Sequence, residues 1–191
     1  MPELSFLLSI LRELLRLVVG AFLLRFLLQL VRADFRNPVA QFIVRFTNPV
    51  VLPLRKVLPP VGRTDTASVV AVLLVQLVAT AATAFLVGGI GELSPGPLLA
   101  GAVIQLLSTT LSLYQVAIFV YILMSWINTG GYNPVGQLLG RLCEPVLAPF
   151  RRAIPSLGGL DVSPMIVLVL LELLQIVLGA RIAPLLRDLV G

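Results

Sequence analysis

Residues 37–65 read NPVAQFIVRFTNPVVLPLRKVLPPVGRTD, and residues 133–161 read NPVGQLLGRLCEPVLAPFRRAIPSLGGLD. The second stretch follows the first at a constant offset of 96 residues, 133 − 37, with no gap. Asn37 and Pro38 return as Asn133 and Pro134, and Arg45 returns as Arg141. Pro49, Pro53 and Pro59 return as Pro145, Pro149 and Pro155. The pair Arg55-Lys56 returns as Arg151-Arg152, and Asp65 as Asp161. Proline and glycine constrain backbone shape, so a set of them copied in register means one backbone unit built twice.

The chain is 58% hydrophobic and 12% charged, with a mean hydropathy of +1.04. Soluble domains are about half apolar and a quarter charged, so too little charge remains to cover a water-soluble core. The net charge is +5. The basic residues flank apolar runs, which points to anionic lipid rather than nucleic acid as the partner. Histidine is absent, removing the commonest general base and metal ligand. The one cysteine, Cys143, permits no disulfide within the chain and reads as an inert packed residue. No catalytic group, metal site or cofactor site can be assembled, and the chain reads as a non-enzyme.

Four runs are long enough for a bilayer core, which needs about 20 apolar residues. They cover about 11–31, 67–90, 98–127 and 162–183. The first carries Arg12, Glu13 and Arg16 in its early, interfacial turns and Arg25 deeper. The second has no charge, and its Thr80, Ala84 and Gly88 form a small-residue stripe that favours close helix packing, more readily inside the chain than outside. The third is rich in Ser, Thr and Gln. The fourth has one charge, Glu172. No signal-peptide cleavage pattern closes the N-terminal run.

The repeated segments, 37–59 and 133–155, are too short and too charged to span. Asn-Pro marks each helix start, and Asn48-Pro49 and Glu144-Pro145 read as second starts. Val39, Phe42, Ile43 and Phe46 oppose Gln41 and Arg45. Each segment is expected to be a broken amphipathic helix lying in the interface, kinked or restarted at the internal prolines. The fold class is thus all-α, with four transmembrane helices in two parallel repeats, 1–92 and 93–191. The repeat loops hold most of the basic residues and the 88–97 turn holds only Glu92. This excess places the loops in the cytoplasm and the termini outside.

The frame Asn-Pro, Pro-Val-x-x-Pro-x-Arg-Arg/Lys-x-x-Pro, Gly-x-x-Asp, carried twice, resembles the YggT family of small bacterial membrane proteins. The resemblance covers nearly the whole chain. It implies an integral inner-membrane protein without known catalytic activity, linked in different branches to hyperosmotic tolerance, cell division or nucleoid placement, and cytochrome assembly in plastids.

Three sets of residues are candidate sites. Arg55, Lys56, Arg151 and Arg152, with Arg45 and Arg141, form basic collars for lipid headgroups or a protein partner, or simply set topology. Asp65 and Asp161 are expected to cap the following span and to contact Arg55 and Arg151. Arg25, Gln76 and Glu172 form an intramembrane polar set. Glu172 lies about 14 Å deep and Arg25 about 10 Å at 1.5 Å per residue, so the two are expected to pair. Gln76 is the counterpart of Glu172 in the first repeat. Two functions fit: a scaffold or assembly protein with a role in osmotic or envelope stress, or a small channel or transporter subunit with a polar path past Glu172 and Arg25. The partner stays open between a membrane and a cytoplasmic protein, and homo-oligomers fit either function.

Overall fold

Prolines and asparagines at matching positions start the same helix in both halves. The computed structural model describes residues 2–61, 65–88, 95–127, 133–153, 161–182 and 184. It contains α1 (Pro2–Leu30), α2 (Pro38–Val57), α3 (Thr66–Gly88), α4 (Pro95–Ile127), α5 (Pro134–Ala153) and α6 (Ser163–Val177). A π-helical turn, Leu178–Ile182, continues α6. Shifting α2 by 96 residues gives the bounds of α5, so the duplication holds in backbone as well as in sequence. The described residues are all-helical, with three helices in each half.

Among the described residues, three helical stretches are long and apolar enough to cross a membrane: Thr66–Leu86, Pro95–Ser125 and Ser163–Ala180. The expected first span, 11–31, is not among them, because Arg12, Glu13, Arg16 and Arg25 interrupt α1.

Neither amphipathic segment is broken. Pro49 and Pro53 lie inside one continuous α2, and Pro145 and Pro149 inside one continuous α5. All four prolines are exposed. The carbonyls that their missing N–H groups leave free therefore face outward, where polar surroundings can satisfy them. Asn37 caps α2 by accepting a bond from Val39 N–H (2.9 Å), and Asn133 accepts one from Gly136 N–H (3.1 Å). Pro38 and Pro134 take the first helical positions. Pro59 follows α2, and its carbonyl accepts from Thr66 Oγ1 (2.7 Å). Pro155 falls outside the described residues.

Within each half the three helices pack on one another. Between halves, α4 packs on α1 and α3, and α5 packs on α1 and α2. Asn37 Nδ2 donates to the Pro134 carbonyl (2.6 Å), joining the start of α2 to the start of α5. The two amphipathic helices thus meet at one end of the bundle, over a small cluster of Leu28, Ala33, Ala40 and Leu138. A larger core of Phe22, Leu23, Ala71, Val72, Ile118, Leu142, Leu147 and Val167 lies above it.

Helix α1 ends with Arg32 in the left-handed region (φ 52°). Ala33 N–H bonds to the Leu28 carbonyl (2.9 Å) and Arg32 N–H to the Gln29 carbonyl (3.1 Å), the pattern of a Schellman cap. Glycine favours this position and arginine pays a Cβ penalty there. Arg32→Gly is therefore expected to stabilise the detergent-solubilised protein by up to about 1 kcal/mol, raising its melting temperature by a few degrees. An unchanged or lower melting temperature by circular dichroism would contradict the strained cap.

Candidate functional site

One carboxylate joins the three helices of the first half. Asp65 Oδ2 accepts bonds from Arg55 Nε (3.2 Å) and Nη2 (2.5 Å) at the end of α2. It also accepts from Gln29 Nε2 (3.1 Å) near the end of α1 and from Ser68 Oγ (2.6 Å) in the first turn of α3. Burial alone would raise this carboxyl. The bonds from Arg55, Ser68 and Gln29 outweigh burial and hold it at about 2.

The second half repeats the lock with different neighbours. Asp161 Oδ2 accepts from Arg151 Nε (2.8 Å), while its Oδ1 accepts from Ser163 N–H (3.0 Å) and so caps α6. Arg151 also donates to Glu144 Oε2 (2.7 Å) and to the Tyr121 hydroxyl (3.2 Å), with its guanidinium 5.9 Å from the Tyr121 ring centre. Burial opposes the charge on Arg151, but bonds to Asp161 and Tyr121 raise its pKa overall. The Asp161 carboxyl is lowered: burial would raise it, and Arg151 and Ser163 outweigh that. Both expected Arg–Asp contacts are therefore present.

These locks divide the collar bases into two groups. Arg55 and Arg151 hold the fold together. Lys56, Arg152, Arg45 and Arg141 are exposed and form no salt bridge among the described residues. Ala40, Thr47 and Val51 face the core, whereas Phe42 and Phe46 are exposed. The small residues let α2 lie close to its neighbours, and the aromatic edge is turned outward beside the bases.

Arg25 and Glu172 do not pair, contrary to expectation. Arg25 is 2% exposed. Its Nη1 donates to Thr47 Oγ1 (2.7 Å), Asn48 Oδ1 (3.0 Å) and the Val44 carbonyl (3.3 Å), all on α2. Arg25 therefore pins α1 to α2. Glu172 is exposed on α6 and accepts from Gln115 Nε2 (2.8 Å). Similar depths suggested the pair, but depth says nothing about which way a helix face points.

Gln76 is buried and bonds across helices: its Nε2 donates to Thr80 Oγ1 (3.0 Å) and to Gln105 Oε1 (3.1 Å). Here α4 comes close to α3, and a Cβ on Gly101 would lie 3.3 Å from Thr80 Cγ2. The small-residue stripe thus packs inside the chain at Thr80. Gln175 bonds to Ser108 (2.9 Å) and Ser112 (3.3 Å), and Arg16 donates to Ser112.

A cleft of about 510 Å³ between α1, α3 and α4 has Arg12, Glu13 and Arg16 on one side and Gln76, Thr80 and Gln105 on the other. A second hollow of about 420 Å³ lies toward the collars, lined by Arg25, Gln29, Arg45 and Arg55 among others. Between them along α1 lie the buried side chains of Phe22 and Leu23. Cys143 is buried, and burial pushes its thiol up to about 12 against a smaller opposing effect of the Arg151 charge.

The lowered Asp65 carboxyl gives a pH signature. Its pKa is below the ordinary value in the folded state, so its stabilising effect is complete above about pH 4 and is lost as pH falls through about 2. Asp65→Asn should lower thermal stability near neutral pH, and the gap from the unaltered protein should close between pH 4 and 2 in detergent. A gap independent of pH over that range would mean that the ionised carboxylate is not the stabilising form.

The family model CCB3/YggT matches residues 4–86 and again 100–182. An uncharacterised protein of Pseudomonas aeruginosa is 41% identical over 179 residues, covering 93% of this chain and 89% of that protein. Uncharacterised YggT of Escherichia coli is 37% identical over 175 residues, covering 92% and 88%. A chloroplastic YlmG homologue of Arabidopsis thaliana is 34% identical over 85 residues, covering 44% of this chain and 34% of its own length. No solved structure matches. With two tandem matches spanning most of its length, the chain belongs to the CCB3/YggT family.

Proposed function

We propose that this chain is a four-span inner-membrane scaffold or assembly protein whose two collars present a basic platform at the cytoplasmic face. The supporting observation is the division of labour in each collar. One arginine is bound to an aspartate, and its neighbour is left exposed at the same position in both halves. The lock holds the amphipathic helix in place, and Lys56, Arg152, Arg45 and Arg141 remain for anionic headgroups or an acidic partner surface. Each such base near an anionic surface contributes about 1 kcal/mol. Helix α1 serves as the fourth span, because its deepest charge, Arg25, is withdrawn from lipid and bonded by α2. The excess of bases in the two repeat loops assigns them to the cytoplasm and the termini to the outside. The platform suits a role in osmotic or envelope stress, or in cell division, where an envelope assembly must be held at the membrane.

A transport role finds less support. The cleft beside Gln76 and the hollow beside Arg25 are separated along α1 by buried Phe22 and Leu23. The polar groups between α3 and α4 bond to one another.

Replacing Lys56, Arg152, Arg45 and Arg141 together by Gln should reduce retained phosphatidylglycerol at least tenfold in native mass spectrometry from mixed micelles. The melting temperature should change little. Replacing Arg55 and Arg151 should instead lower the melting temperature. Unchanged lipid retention in the fourfold variant would remove the platform. Single cysteines at 56 and 152, in a Cys143→Ser background, should both be labelled by a membrane-impermeant maleimide in inverted vesicles and neither in intact cells. Labelling from opposite sides would end the parallel arrangement.

A further inference from the structure

The first half holds a buried cation that forms no salt bridge. All the bonds of Arg25 leave from Nη1, and they go to neutral oxygens of Thr47, Asn48 and Val44. Its buried Nε has no partner. One turn further along α1, Gln29 gives its Nε2 to Asp65, while its buried Oε1 has no partner either. A buried charge without a counter-ion and buried polar atoms without bonds both cost stability. Arg25 and Gln29 line the same hollow of about 420 Å³ between α1 and α2.

Arg45 and Arg55 also line this hollow, and no carboxylate does. Asp65 balances Arg55, but Arg25 and Arg45 form no salt bridge among the described residues. The hollow is therefore left with a positive excess, in a volume within the range of about 300–1,000 Å³ that small ligands occupy. The second half provides the comparison. Position 25 corresponds to Tyr121 and position 29 to Ser125. The counterparts of Gln41 and Arg45 are Gln137 and Arg141, and the hollow that these two line also contains Asp34 and Glu144. With two carboxylates against one guanidinium, it lacks the excess of the first.

We infer that the hollow of the first half is a single site for a phosphate group that carries a hydroxyl or ammonium donor. Phospholipid headgroups have this chemistry, and so does inorganic phosphate without the tail. Arg25, Arg45 and Arg55 supply the charge, with Arg55 keeping Asp65 on its Nε and Nη2. Gln29 Oε1 accepts from the donor of the ligand. The exposed Phe42, next to Gln41 in the chain, offers an apolar edge to an acyl chain. Basic pockets of this kind beside membrane-embedded helices suit anionic headgroups. The site rests on the reading that α2 lies at the membrane surface. It goes beyond the basic platform, which uses both collars alike, because only one half has it.

The test places a carboxylate in each hollow in turn. Gln41→Glu puts one four residues before Arg45, where it engages that guanidinium itself. Gln137→Glu makes the same charge change at the matching position of the other collar. Both side chains are exposed, so neither change disturbs the core. The full chain is titrated with phosphatidylglycerol in mixed micelles and, separately, with inorganic phosphate, and read by native mass spectrometry and melting temperature. One tightly held phosphatidylglycerol per chain is expected. Its retention should fall about tenfold or more with Gln41→Glu and less than about twofold with Gln137→Glu. The same contrast with inorganic phosphate, and none with the lipid, would keep the site and assign it to a free phosphate. Equal responses of the two variants would overturn the site and leave the platform standing. Absence of tight binding by either probe would also overturn it. Failure of the platform alone reads differently: replacing Lys56, Arg141 and Arg152 by Gln would cost no lipid, while Gln41→Glu would still shed the one.

Discussion

The structure turns on an arginine at the end of each amphipathic helix bound to an aspartate at the start of the next span. A partly exposed pair of this kind contributes only about 0–1 kcal/mol by itself, and the Arg55 side chain is 42% exposed. Its importance is geometric. Arg55, Gln29 and Ser68 reach Asp65 from α2, α1 and α3, so one carboxylate sets the relative position of three helices. The apolar core then has an arrangement to fill. Without the lock, α2 would be an amphipathic helix free to slide in an interface whose lipid side accepts Phe42 and Phe46 in many positions.

The duplicated backbone leaves room for different charges. Position 25 is arginine in the first half, and its counterpart 121 is tyrosine. Position 48 is asparagine, and its counterpart 144 is glutamate. The changes are coupled. In the first half a cation on α1 bonds the carbonyl side of Asn48. In the second, tyrosine stands on α4 where α1 has the cation, an anion has appeared on the amphipathic helix, and Arg151 serves Glu144 as well as Asp161. Tyr121 takes the remaining guanidinium donor. Each half keeps its Arg–Asp lock, so the same three-helix frame persists while its charges are rearranged.

The repeat, the helical class and the Arg–Asp locks were legible because they depend on spacing and on residues whose chemistry is local. Asn37-Pro38 starts a helix wherever it stands, and a constant offset of 96 carries every such signal twice. The errors came from quantities that need three dimensions. Pro49 and Pro53 read as breaks in one dimension, but on an exposed helix face the freed carbonyls have somewhere to point, and α2 continues. Arg25 and Glu172 share a depth yet face different neighbours. Phe42 and Phe46 read as part of the apolar face opposite Gln41 and Arg45, and spacing did not show that Ala40, Thr47 and Val51 would be the residues turned to the core. No sequence signal distinguished a small buried face from a large exposed one, because in a membrane both faces are apolar.

That ambiguity also bears on the polar groups inside the spans. In water, exposed polar residues carry no message, since solvent satisfies them. In lipid each must find protein or water, and the cost of failing is paid in stability. Gln76, Thr80 and Gln105 satisfy one another across the contact between the halves, which is what interhelical glue requires and what a conducting path would have to give up. Glu172 stands at the corresponding position on the last span with one partner on its own half and an open side.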